Sequence, residues 1–426
     1  MALGIAAAIA GATGLAIAAP AAVAHPAPHQ PPHGQHGQHG AAGAVVLDWN
    51  RITMRTFGEG AVPVPVQALY AGFVGAAVSN AVLTIEGGYR TYLPQEPAAR
   101  GASVDAAAST AAYRVLTALV PASEGNLTAD HQRWFGQVAA PAARAAGVEV
   151  GEDAARAVLN AREGDGRGAP ITLVTTPGPG VWDPPPTGML VPWLGFVRPM
   201  AVPSPTWLPL AGPDALTSRR YAKDFAEVKS MGSKTGSART PAQTENALFY
   251  NSSSVAQYNT GLSDRLARHG AGAREAARAL ALLNLATADS VIACWRAKYD
   301  VHNWRPQQAI RRADTDGNPA TEPDTAWESL IPAPPYGDYT SGHACISGAF
   351  SETVANLYGR NRIDVDLASS VTGTTKHYDR ASALNRDTKN ARIWLGIHFR
   401  TAMNDGNRIG RTTADYTIGH YLQRVR

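Results

Sequence analysis

From residue 66 to residue 422 the apolar residues recur at helical spacing in one segment after another, with Pro or Gly at the breaks. A chain so patterned builds its core from helix faces, and the fold class it predicts is all-α, with any strands short. Helices are predicted over 66–85, 103–119, 130–146 and 153–161, which together make an N-terminal bundle. A second set over 218–229, 243–250, 272–289, 347–358, 382–397 and 412–422 makes another. Between them, residues 164–213 are rich in Gly and Pro, with Asp183-Pro-Pro-Pro and Pro203-Ser-Pro. So long an irregular crossing is uncommon in helical folds unless it has a purpose, and it is expected to wrap the entrance of a site.

Composition bounds the reading without deciding it. The 426 residues are 45% hydrophobic and 17% charged, ordinary for a globular chain of two modest domains or one large one. The net charge of +4 is mild, and Lys and Arg form no runs interleaved with aromatics, so no nucleic-acid surface is expected. The first 24 residues are uncharged, lack the usual basic start, and end in Ala22-Val23-Ala24, a small-x-small cleavage pattern. They read as a signal peptide, with an uncleaved membrane anchor as the alternative, and the protein is expected to be secreted. His25, His29, His33, His36 and His39 follow among Pro, Gln and Gly, a solvated linker with no fixed ligand geometry. The expected organisation is therefore a signal peptide (1–24), a disordered linker (25–43), a helical bundle with the crossing segment (44–213) and a second bundle (214–426). No later segment is read as apolar enough to span a bilayer, so no stable membrane insertion is expected after cleavage. Cys294 and Cys345 are expected to be two buried thiols; a disulfide is allowed by compartment only.

Seven polar positions in three clusters carry the chemistry. Lys298 and Arg305 lie in Lys298-Tyr-Asp-Val-His-Asn-Trp-Arg305-Pro306, Ser341-Gly342-His343 follow an aromatic and proline-rich turn, and Arg392 precedes His398 in Ala-Arg392-Ile-Trp-Leu-Gly-Ile-His398. Two guanidinium groups and an ammonium suit a tetrahedral oxoanion, because a guanidinium grips two charged oxygens through paired hydrogen bonds. Ser341 adds a hydroxyl, Gly342 a close backbone N–H, and a helix beginning there would aim its positive end at the same charge. Two histidines remain for bond making and proton transfer. Arg392 and His398 are six apart, nearly two turns if their helix is unbroken. Each cluster alone also fits a helix end or a core histidine; the ordered trio is what points to one site.

That trio resembles the shared signature of the vanadium-dependent haloperoxidases and the type 2 phosphatidic acid phosphatase (acid phosphatase) superfamily: Lys-x6-Arg-Pro, then Pro-Ser-Gly-His, then Ser-Arg-x5-His-x3-Asp. The resemblance extends upstream through Arg239-Thr-Pro-Ala-Gln-Thr244, Tyr221-Ala-Lys-Asp-Phe-Ala-Glu-Val and Leu69-Tyr-Ala-Gly-Phe-Val-Gly-Ala, toward secreted bacterial haloperoxidase-like members. Thr340 stands where the pattern has Pro, Ala391 where it has Ser, and Ala402 where it has Asp, with Asp405 the nearest carboxylate downstream. The missing Asp leaves the orientation of His398 without its usual partner.

What the resemblance implies is a haloperoxidase-like pair of helical bundles around a vanadate cofactor, with phosphate competing for the same site. His398 is then the ligand to vanadium, and Lys298, Arg305, Ser341, Gly342, His343 and Arg392 bind the oxoanion. Hydrogen peroxide and a halide are the substrates, Lys298 polarises the peroxide, and His343 is the acid/base. Trp295 and Tyr336 fall near the halide, with bromide and iodide oxidised before chloride. The alternative is a secreted acid phosphatase in which His398 attacks phosphorus and His343 protonates the leaving group; a further one is non-catalytic oxoanion binding. The organic substrate and the oligomeric state are not readable from the chain.

Overall fold

The computed structural model describes residues 43–360 and 362–425. The expected signal peptide and His-rich linker lie outside them. Among the described residues thirteen α-helices and one two-stranded hairpin follow in the order α1 (Ala44–Glu59), α2 (Val64–Glu86), α3 (Val104–Leu119), α4 (Glu124–Gln137), α5 (Pro141–Ala161), α6 (Arg219–Gly232), α7 (Pro241–Phe249), α8 (Ser254–Arg268), α9 (Ala273–Val301), α10 (Pro306–Arg311), α11 (Gly342–Tyr358), β1 (Val365–Ala368), β2 (Thr375–Tyr378), α12 (Ala381–Trp394) and α13 (Arg400–His420). The fold is all-α apart from the antiparallel β1–β2 ladder, in which Val365 pairs with Tyr378.

Helix α9 is the axis of the molecule. It is apolar nearly all round, the mark of a helix with no solvent face, and it packs against α2, α11 and α13. A single core runs from Trp49 and Phe73 in the first helices to Trp295 on α9 and Phe350 on α11, so the 44–213 and 214–426 segments share their apolar interior. Both α2 and α9 are long and apolar enough to cross a membrane, which corrects the sequence reading that no such segment follows the leader. Their apolar windows are 83% and 94% buried against other helices, so the apolar surface serves the core.

Local chemistry sets the helix starts. Ser103, Ser218 and Ser253 accept from backbone N–H groups of α3, α6 and α8, and Thr240 with Gln243 forms a capping box on α7. Several boundaries differ from the periodicity; α4 starts six residues early at Glu124, α9 runs past 289 to Val301, and α13 starts at Arg400 and not at 412. The chain breaks at 138–140, ahead of Pro141, and then runs as helix through 146–153, because Pro at the first position starts a helix better than it continues one. Helix α11 begins at Gly342, five residues before the predicted start. Helix α12 stops at Trp394, and Gly396 at φ 77° turns the chain. A Cβ on Gly396 would stand 2.4 Å from Gly232 O, so this close crossing of chain on α6 requires glycine. The helices α1, α8 and α10 carry no separate sequence prediction; α1 and α8 are held by tertiary packing.

Candidate functional site

The three clusters converge. Trp295 and Lys298, three apart near the end of α9, share a face. Arg305 is the extended residue before Pro306, where the start of α10 fixes it. The loop before α11 brings Tyr336 and Asp338, and Ser341 caps α11, its oxygen accepting from Ala344 N at 3.5 Å. That leaves its O–H free to donate, and the positive end of a 17-residue helix faces the site. Arg392 comes from the last turn of α12. His398 does not follow it on an unbroken helix, as the six-residue spacing had suggested: it sits in the turn between α12 and α13.

Hydrogen bonds define each orientation. Lys298, wholly buried, donates from Nζ to Gly337 O at 2.8 Å and Asp338 O at 3.1 Å. Arg305 donates from Nε to Tyr336 O at 2.8 Å and from Nη1 to Ile397 O at 2.6 Å. Arg392 donates from Nη1 to Tyr250 O at 3.0 Å. His398 has a buried carboxylate beside it after all: Asp338 Oδ1 lies 2.8 Å from Nδ1 and also accepts from Phe399 N at 3.3 Å. Arg305 Nη1 lies close to both ring nitrogens, 3.1 Å from Nε2 and 3.4 Å from Nδ1. The carboxylate acceptor at Nδ1 selects the tautomer protonated there, with the lone pair on Nε2.

Asp338 is the residue that sequence reasoning missed. The pattern directs attention to position 402, where Ala402 packs against Tyr339; Asp405, the downstream candidate, accepts from the Tyr339 hydroxyl at 2.7 Å instead. Asp338 and Ala402 line one small cavity, so a carboxylate from the loop before α11 reaches the place a helix α13 carboxylate would have served. The available signal was an acidic residue three before Ser341 in a chain lacking one four after His398.

Burial dominates the electrostatics. It pushes Lys298 down to about 7, with Arg305 adding repulsion, and Arg392 down to about 10. Burial also holds His343 and His398 well below the ordinary histidine range, helped by Arg392 and Arg305 respectively. Asp338 is raised to about 7 by burial, against the pull of Arg305 and Lys298. Three cationic side chains thus face one weakened carboxylate, an arrangement that an anion would relieve. Buried atoms without a partner mark where it would bind: Arg305 Nη2, Arg392 Nε and His343 Nε2. Among the described residues no group of three or more His, Cys, Asp or Glu could hold a bare metal ion. The donor set fits an oxoanion with one imidazole ligand, as vanadate or phosphate would require.

A cavity of about 290 Å³ leads to Gly342, His343 and Arg392, walled by Leu190 of the crossing segment, Trp295 and Tyr336. The two aromatic rings lie 5.0 Å apart, and Lys298 Nζ stands 4.8 Å from the Tyr336 ring centre. A Cβ on Gly342 would meet the Trp295 ring at 3.0 Å; the glycine is needed as much for this ring as for a ligand. Cys294 and Cys345 are free and buried, bridged by the Thr340 hydroxyl, which donates to Cys294 Sγ at 3.1 Å.

An all-α bundle with a buried, cation-rich pocket is the class that fold and site define. The model of the second helical-bundle domain of vanadium chloroperoxidase matches residues 278–426, which contain all seven clustered positions. The vanadium chloroperoxidase of Curvularia inaequalis is 26% identical over 29% of this chain, and the match spans about a quarter (27%) of that protein's length. Among solved structures, a bacterial vanadium-dependent iodoperoxidase superposes with TM-score 0.78 at 18% identity, over 92% of this chain and all (100%) of the other. A bacterial vanadium-dependent chloroperoxidase in its holo form gives 0.68 at 16% identity over 83% and 91%. Residues 278–426 thus resemble the second helical-bundle domain of vanadium chloroperoxidase, and the chain shares the fold of the bacterial vanadium-dependent haloperoxidases.

Proposed function

We propose that the protein is a vanadium-dependent haloperoxidase, oxidising bromide and iodide ahead of chloride with hydrogen peroxide. The observation that carries this reading is the convergence of Lys298, Arg305, Arg392, His343 and His398 on one pocket with partnerless buried donors, walled on the open side by Trp295 and Tyr336. Bound vanadate supplies Lewis-acid activation of hydrogen peroxide. Arg305, Arg392 and Lys298 neutralise the oxoanion, and the Ser341 hydroxyl and Gly342 N–H donate to it. His398 offers its Nε2 lone pair, held in place by Asp338. His343, neutral because of burial and Arg392, takes up a proton and returns it. Trp295 and Tyr336 shield the halide from water. The similar proteins are named as vanadium peroxidases, which supports the same reading.

An acid phosphatase is the second reading, and one observation favours it. The absence of an acidic residue at 402 counted against a histidine that must attack phosphorus in a fixed orientation; with Asp338 on Nδ1 that objection falls. The aromatic pair beside Lys298 keeps the peroxidase first. The test is paired: protein incubated with orthovanadate, assayed for peroxide-dependent halogenation of a dye, and untreated protein assayed on a phosphoester. Halogenation that appears only with vanadate and is suppressed by phosphate is the expected result. Phosphoester turnover without halogenation would reassign the protein, and binding without either would leave an oxoanion carrier. The signal peptide and secretion belong to the same proposal and are tested by the N-terminus of the exported chain.

A further inference from the structure

A second cationic cleft lies at the far end of the two helices that carry the oxoanion site. Its floor includes Arg274 and Arg278 on the first turns of α9 and Tyr358 at the end of α11. Lys298 is twenty residues along α9 from Arg278, and His343 is fifteen from Tyr358 along α11, which sets the two sites roughly 20–30 Å apart. The other wall is Tyr89, after α2, and Arg424, whose strands of chain pair across an isolated bridge. The volume, about 720 Å³, is that of a small-molecule pocket and far exceeds a single phosphate.

Its positive charges exceed its negative ones, although the Glu86 carboxylate accepts from the backbone N–H of Arg274 at 3.1 Å. Arg278 donates from Nε to Leu422 O at 3.0 Å, and Arg274 from Nη1 to Glu86 O at 3.4 Å, both neutral carbonyls. Arg278 and Arg424 lie over the Tyr89 ring, 4.5 and 5.8 Å from its centre. Among the described residues none of the three arginines is ion-paired with a carboxylate, and the one acid lining the cleft, Glu275, leaves an excess of positive charge. The Tyr358 ring lines the cleft and is covered by Arg265 at 3.5 Å, which adds a further guanidinium beside it. Burial, and repulsion from Arg424, hold Arg278 below the ordinary arginine range, a state that an anion would relieve.

The geometry points to a second anion site in this cleft, for a phosphate chain of two or more units gripped by Arg274, Arg278 and Arg424. Guanidinium forks recognise successive phosphates two oxygens at a time. Tyr89 and Tyr358 already carry guanidinium groups on their rings, so the recognition is of charge and not of a stacked base. An inorganic polyphosphate and the tail of a nucleoside triphosphate share that chemistry.

Calorimetric titration of the full chain with tripolyphosphate, ATP and orthophosphate tests the assignment. Tripolyphosphate is expected to bind at least tenfold more tightly than orthophosphate at this cleft. The affinity should fall about tenfold in the exposed-site variant Arg424→Ala and further in Arg278→Ala, in keeping with lost charge-assisted hydrogen bonds, and stay unchanged in Lys298→Ala, which disables the other site. Tripolyphosphate is expected to bind at least as tightly as ATP; ATP binding tighter would overturn recognition by charge alone. The assignment is overturned if tripolyphosphate does not bind, if Lys298→Ala abolishes its binding while Arg424→Ala leaves it intact, or if Arg424→Glu splits a dimer in sedimentation, which would make the occupant a second copy. None of these outcomes depends on whether the distant pocket works as a peroxidase.

Discussion

Replacing Asp338 separates two effects that the structure sets against each other. Its carboxylate orients His398 through a 2.8 Å bond to Nδ1, and partners of that kind are worth roughly 10–100-fold in affinity at a coordinating histidine, about 1.4–2.8 kcal/mol. The same carboxylate repels an incoming oxoanion. Across an imidazole ring the two charges would be roughly 7 Å apart, which at an effective dielectric constant of about 20 is about 2 kcal/mol for full ionisation. With Asp338 raised to about 7, about half of that applies at neutral pH. Asp338→Asn and Asp338→Ala both remove the charge, but only Asn keeps an oxygen to accept from Nδ1–H and Phe399 N. The ratio of their affinities therefore isolates orientation: Asp338→Asn should bind orthovanadate, and orthophosphate, roughly 10–100-fold more tightly than Asp338→Ala. Isothermal titration of both variants, after circular dichroism confirms that each is folded, gives the ratio directly. Equal affinities, or Asp338→Ala binding the tighter of the two, would refute the orienting role.

The remaining predictions follow from the same geometry. His398→Ala should abolish vanadate retention on desalting, whereas His343→Ala should keep binding and lose turnover; equal loss of binding in both would contradict the division of roles. Lys298 has a folded-state value near 7, below its unfolded value of about 10.4. Between these the unfolded chain holds the extra proton, so the group's contribution to stability is fully present above the unfolded value and is lost as pH falls through the folded one. The melting temperature of the anion-free protein should therefore rise from pH 7 to 10, and Lys298→Met should flatten the rise; a Met variant with the wild-type slope would exclude Lys298 as the cause. Tyr336, against Trp295 at the cavity wall, should set halide preference. If Tyr336→Phe and Tyr336→His leave the chloride, bromide and iodide rates in their wild-type ratio, the ring is only packing.

Helical periodicity and proline placement determined the all-α class by themselves, because they depend on which face of a segment is apolar and on a missing N–H, both local properties. The side-chain inventory of the anion pocket was equally legible: Lys298, Arg305, Ser341-Gly342-His343, Arg392 and His398 are chemical types at fixed spacings, and the structure brings them together. Tertiary structure alone decided how His398 is held. Its partner, Asp338, is 60 residues away in sequence, and nothing local to either residue announces a bond that exists only where the loop before α11 meets the α12–α13 turn. The end of α12 was hidden for a similar reason. Leu395 and Ile397 continue an apolar pattern, and only the approach of Gly232 to Gly396 shows that the chain must turn there. The single core shared by the two segments is tertiary too: α2 and α9 each look able to cross a bilayer, and the decision to bury them against each other rests on surfaces far apart in the chain.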